Sequence, residues 1–141
     1  ETGMSFQKEV EMVALATKMD LFSCVYVATA EEAVQMAEAG ADSIIAHVGT
    51  TVGGSIGVVG ATVDMGFAIE RTQEIIEAAR KVNNEIIFLA HGGPINTPED
   101  VRVILDSTDV HGFVGASSLE RMGVEKPLTD LTKKFKELKL K

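Results

Sequence analysis

The sequence predicts an α/β protein built from parallel (β/α) units, and three observations predict it. Four runs, FSCVYVA (22–28), SIIAHVG (43–49), EIIFLAHGG (85–93) and HGFVGA (111–116), are almost continuously apolar, as strands buried on both faces are. Each run is followed by a segment with helical spacing of apolar residues. The last two runs end in small-residue turns, at Gly92-Gly93 and Gly115-Ala116. Strands that alternate with helices form a parallel sheet covered by them, either open and doubly wound or curved into an arc of a barrel. Four units occupy about half of the roughly 250 residues of a full barrel, and the glycine turns fall where a barrel holds phosphate. Both features favour half of a TIM (β/α)8 barrel, strands five to eight, as a single domain over residues 1–141 preceded by a helix.

The elements follow in order. From Phe6 to Met19 apolar residues recur on a broad helical face (Phe6, Val10 and Val13, with Met12, Leu15, Ala16 and Met19 beside it), and Asp20 ends the run. No strand precedes this helix. FSCVYVA is β-branched and aromatic, hence a buried strand, and Thr29 caps a helix that Gly40 closes. After SIIAHVG comes the glycine-rich TTVGGSIGVVG, then a helix from about Asp64 to Val82 that turns Ala68, Thr72, Ile75, Ile76 and Ala79 to one side. Thr97-Pro98-Glu99-Asp100 reads as a helix start: a threonine cap, proline in the first turn and acids against the positive end of the dipole. Val101, Ile104 and Leu105 face the core from it. A closing helix from Pro127 is expected to carry Leu128, Leu131, Phe135 and Leu138 inward.

A formal net charge of -8 excludes nonspecific binding to nucleic acid or to an anionic membrane, both of which need a basic surface. Lysines 133, 134, 136, 139 and 141 make a local basic tail that complements a helix C-terminus. The lone Cys24 cannot form an intrachain disulfide and reads as a strand residue in a reducing compartment. No apolar run reaches the roughly 20 residues of a membrane span, and no signal pattern is visible, so the expected location is cytoplasmic. A four-strand arc leaves two sheet edges and part of an apolar interior uncovered. The expected macromolecular partner is therefore a second copy, as a homo-oligomer, or the missing half of the barrel.

Ligands of parallel α/β folds bind at the carboxyl ends of the strands, where loops and helix N-termini converge. His47 closes the second strand, and Thr50, Thr51, Gly53 and Gly54 follow in a loop that reads as a lid or as an ordinary connection. His91 closes the third strand before Gly92 and Gly93, as a proton carrier or as a histidine satisfied by its own turn. After the fourth strand, Gly115, Ala116, Ser117 and Ser118 suit a cradle for phosphate or carboxylate, to which Arg121 adds charge. Glu120 is a candidate acid or base, or else a partner for Arg121. The candidate catalytic residues are His47, His91 and Glu120, with no metal ligands among them. His111 precedes its strand and belongs to the opposite, structural end.

The motifs ETGMSFQKEVEMV, HVGTTVGGSIG, HGGPINTPED and HGFVGASSLER together resemble the phosphoenolpyruvate hydrolase-like TIM-barrel family, whose members occur alone or fused behind a domain of the tobamovirus-resistance type. The likeness runs over essentially the whole chain and implies the C-terminal half of the barrel. It implies chemistry on a phosphorylated small acid, with the loop at Thr50 to Gly54, the His91 turn and Gly115 to Arg121 as the site. It also implies magnesium in the complete barrel, held mainly by acids of earlier strands outside these residues. A noncatalytic anion-sensing or protein-interaction module that keeps the same pocket is the other function the resemblance allows.

Overall fold

A computed structural model describes residues 3, 5–50, 52, 63–120 and 122–137. Its elements are α1 (Phe6–Lys18), β1 (Cys24–Val27), α2 (Ala30–Glu38), β2 (Ser43–His47), α3 (Met65–Arg80), β3 (Ile87–His91), α4 (Pro98–Ser107), β4 (Gly112–Phe113), α5 (Ser117–Glu120) and α6 (Met122–Lys136). The strands pair in parallel in the order β1-β2-β3-β4. A doubly wound sheet reverses its strand order at a switch point. Strictly sequential order instead puts every crossover on the same side, which is the winding of a barrel, and the chain is half of one.

Alternation along the strands sorts the two faces. Val27, Ile44, Ala46, Phe88 and Ala90 point outward and are buried with Ala33 and Met36 of α2, Ala68, Ile75, Ile76 and Ala79 of α3, and Ile104 of α4. Cys24, Tyr26, Ile87, His47 and His91 lie on the inner face, and among the described residues no strand pairs with the outer edge of β1. Cys24 is therefore exposed rather than the buried strand residue expected, and Tyr26 is 46% exposed.

Local chemistry fixes most of the ends. Thr29 accepts from the Glu32 amide at 3.2 Å, Asp64 from the Phe67 amide at 2.9 Å, and Thr97 with Asp100 forms a capping box. Gly40 leaves α2 at φ +93°. At the far end of the sheet, His111 accepts the Phe88 amide at Nδ1 (2.9 Å) and stacks on the Phe88 ring, consistent with its structural reading.

The C-terminal region departs from expectation in two ways. The final helical segment begins at Met122, so Pro127 lies inside α6 instead of opening it. Leu128, Leu131 and Phe135 are exposed rather than turned inward, because among the described residues α6 packs mainly on α5 and no sheet lies beneath it. Leu138 lies outside the described residues. No described helix is long and apolar enough to cross a membrane.

Candidate functional site

Residues directly paired in a parallel ladder point the same way, and β2 and β3 pair His47 with His91. Their rings lie side by side at the strand tips, centroids 5.2 Å apart. Tyr26 of β1 meets both edge-on, at 5.8 Å from His47 and 5.1 Å from His91. On a flat sheet, strands two apart are separated by roughly 10 Å. Contact from β1 to β3 across β2 fits the concave inner face of a barrel arc. Sequence reasoning missed Tyr26. The signal available was its alternation with Cys24 in a strand that runs beside the one His47 closes, Tyr26 pairing with Ile45 two residues before that histidine.

The two imidazoles differ in which nitrogen is free. His91 Nδ1 lies 2.7 Å from the Val114 carbonyl oxygen, and since a carbonyl only accepts, Nδ1 carries the proton and Nε2 presents a lone pair. His47 Nδ1 accepts the Gly49 amide at 3.3 Å, so the neutral ring carries its proton on Nε2. Burial, and then repulsion from a charged His91, lower the pKa of His47, with its own backbone pulling weakly the other way. Side by side stand a neutral N–H donor and a free acceptor.

The glycines beyond these strands serve their own backbone. Gly93 donates to the Gly49 carbonyl at 2.8 Å, and Val52 donates to the Gly93 carbonyl at 3.1 Å. Gly92 has φ +84°, and a Cβ there would run into the Gly49 carbonyl oxygen. The bare flank expected to admit a ligand admits the backbone that follows β2 instead, and the Gly93 amide is already used. Asn96 ties the same loop, its side-chain amide donating to the Val52 carbonyl at 2.9 Å.

After β4, pairing continues through the Val114 amide to the Ala90 carbonyl (2.9 Å), and α5 begins at once. A Cβ on Gly115 would stand 2.6 Å from Leu119 Cδ1, so that flank is covered by Leu119. Ala116, Ser117 and Ser118 are half-buried, and Ser118 lines a cavity of about 260 Å³ with Val101, Leu105, Phe113 and Leu119. Glu120 and Thr50 are exposed, and the ring contacts that unite Tyr26, His47 and His91 do not include Glu120. Thr51, Gly53, Gly54 and Arg121 lie outside the described residues. On the β1 side, a cleft of about 210 Å³ reaches His47 past Glu9 and Glu32. These carboxylates disfavour an anion in that cleft.

A family profile described as phosphoenolpyruvate hydrolase-like matches residues 1–138. The chain belongs to this family. It is 45% identical over 141 residues to the ToMV susceptible protein tm-1(GCR26) of Solanum lycopersicum and 44% identical to the ToMV resistance protein Tm-1(GCR237) of the same plant, covering 99% of this chain and 19% of each relative. A putative transcriptional regulatory protein, y4pA, of Sinorhizobium fredii is 30% identical over 136 residues, 96% of this chain and 22% of that one. The chain thus spans about a fifth of the length of the curated relatives it matches. Among solved structures, the N-acetylmannosamine-6-phosphate 2-epimerase of Clostridium perfringens superposes with TM-score 0.53 at 20% identity, over 86% of this chain and 48% of the other. That likeness concerns fold and agrees with half of a barrel.

Magnesium takes oxygen ligands in octahedral geometry. The Tyr26, His47 and His91 cluster offers two imidazoles, one with its outward nitrogen protonated, and no group of three His, Cys, Asp or Glu side chains able to hold a metal occurs among the described residues. The residues present do not fit the magnesium that the family resemblance implies.

Proposed function

We propose that this phosphoenolpyruvate hydrolase-like chain contributes the proton-handling part of a barrel site that acts on a phosphorylated small acid. The observation that carries the reading is the pair His47 and His91, in register at adjacent strand tips on the inner face of the sheet, one ring a donor and the other an acceptor at Nε2. Acid–base work needs both functions at one spot, and two imidazoles of opposite tautomer provide them. The phosphate goes to the β4 side, against Ala116, Ser117 and Ser118 with Arg121 following, since Glu9 and Glu32 flank the opposite side. Gly92 and Gly93 shape the β3 tip, and the Gly93 amide is engaged by the Gly49 carbonyl.

Titrating the protein with phosphoenolpyruvate and with inorganic phosphate, followed through backbone amide resonances, tests the reading. Shifts at 116–118 and in the His91 ring are expected, and spectra unmoved at both places overturn it. A second reading has its own support: the curated relatives are named for virus susceptibility, virus resistance and transcriptional regulation, and none of those names states a reaction. Saturable binding of phosphoenolpyruvate without release of phosphate favours a noncatalytic sensor. Turnover that His91→Gln abolishes favours the enzyme.

A further inference from the structure

The two histidines are not equivalent, and their inequality selects a substrate. The Val114 carbonyl fixes the His91 proton on Nδ1, and the Gly49 amide fixes the His47 proton on Nε2. Exchanging the roles would set a lone pair against a carbonyl on one ring and an N–H against an N–H on the other. Double protonation of His47 meets the same obstacle, because its Nδ1 already faces a donor. Tyr26 contacts both rings edge-on from β1.

We infer that the pair works with fixed roles: His91 Nε2 removes a proton from carbon beside a carbonyl, His47 Nε2–H holds that carbonyl oxygen, and Tyr26 is the positioning residue for both rings. This rests on the acid–base reading above and deepens it to a substrate class, small carbonyl compounds with hydrogen on the neighbouring carbon. In the step, the proton passes to His91 Nε2, the C–H electron pair becomes the π bond of an enolate, and the carbonyl π pair moves onto oxygen. The His47 hydrogen bond stabilises that charge, as a neutral imidazole does when it polarises a carbonyl. His91 leaves as imidazolium, and return of its proton to carbon reverses every electron movement. No oxidant, reductant or second substrate enters.

Imidazole nitrogen NMR of the uniformly ¹⁵N-labelled chain tests the roles without a substrate. The expected spectrum shows His91 protonated at Nδ1 and His47 at Nε2, and the same tautomer on both rings overturns the inference. Dihydroxyacetone in deuterium oxide then tests the chemistry, since it carries a carbonyl and neighbouring hydrogens but no phosphate. Its carbon-bound hydrogens are expected to exchange faster with the protein than in buffer. The excess should fall about a hundredfold or more in His91→Gln, by loss of the base, and about a hundredfold in His47→Phe, by loss of the oxyanion donor. Tyr26→Leu is expected to scramble the tautomers and lose exchange, while Tyr26→Phe keeps both. Exchange no faster than in buffer, or unchanged in His91→Gln, overturns the inference. Because the probe lacks phosphate, failure here alongside amide shifts at 116–118 with phosphate removes the proton roles and leaves the anion reading standing, and the converse result does the opposite.

Discussion

Gly92 illustrates how little of a glycine's purpose its letter reveals. At φ +84° and backed by the Gly49 carbonyl, it lets two strand ends close on each other and so holds His47 and His91 abreast. Gly92→Ala is expected to lower stability by about 3 kcal/mol, from left-handed strain and a blocked backbone contact together; urea denaturation checks this, and an unchanged midpoint contradicts it. His47 gives a second prediction. Its folded pKa lies below the ordinary 6.5, so the unfolded chain binds the proton more readily. The associated stability is complete above about pH 6.5 and is lost as pH falls from there through the folded pKa. Urea midpoints should therefore drop over that interval in the wild type and drop less in His47→Gln. At this scale the sequence displayed both histidines, since each closes an apolar run. It could not display Tyr26 as their neighbour, because that contact spans a strand and depends on curvature.

Helix ends were the most legible elements. Thr29, Asp64 and Thr97 each accept the amide three residues on, because a short oxygen side chain just ahead of an amphipathic run has only that local use. Thr97→Ala is expected to cost about 1 kcal/mol, read as a lowered thermal midpoint, with the tautomers of His47 and His91 unchanged. The buried face of α3 was equally readable, and Ile75, wholly buried, should cost about 2–5 kcal/mol on truncation to alanine. The C-terminal helix shows the limit of periodicity. An apolar stripe says that a face is to be covered but does not say by what. Leu128, Leu131 and Phe135 have the spacing of a core face, yet among the described residues no sheet lies beneath them.

The whole molecule is an arc with two open margins. On one, Phe22 is 69% exposed and shares a groove with Met12 and Leu21; on the other, Phe135 is 63% exposed on the same helix as the exposed Leu128 and Leu131. Apolar patches and free strand edges of this kind drive association. Sedimentation at micromolar concentration should show species heavier than the 15.0 kDa chain, and a clean monomer contradicts this. Changing Leu128 and Phe135 to serine should weaken association while moving stability little, since both are already exposed.

By itself the sequence determined the alternation of strands and helices, the caps that bound them and the strand tips that carry His47 and His91. Those features rest on hydrogen bonds and side-chain periodicity within a few residues of each other, and such information is local. Tertiary structure decided the rest: that the glycines admit backbone, that Cys24 and Tyr26 face an open interior, and that two histidines hold opposite tautomers with a tyrosine against both. Each of these depends on what a distant segment places within a few ångströms, and a linear pattern does not specify distances across a curved sheet.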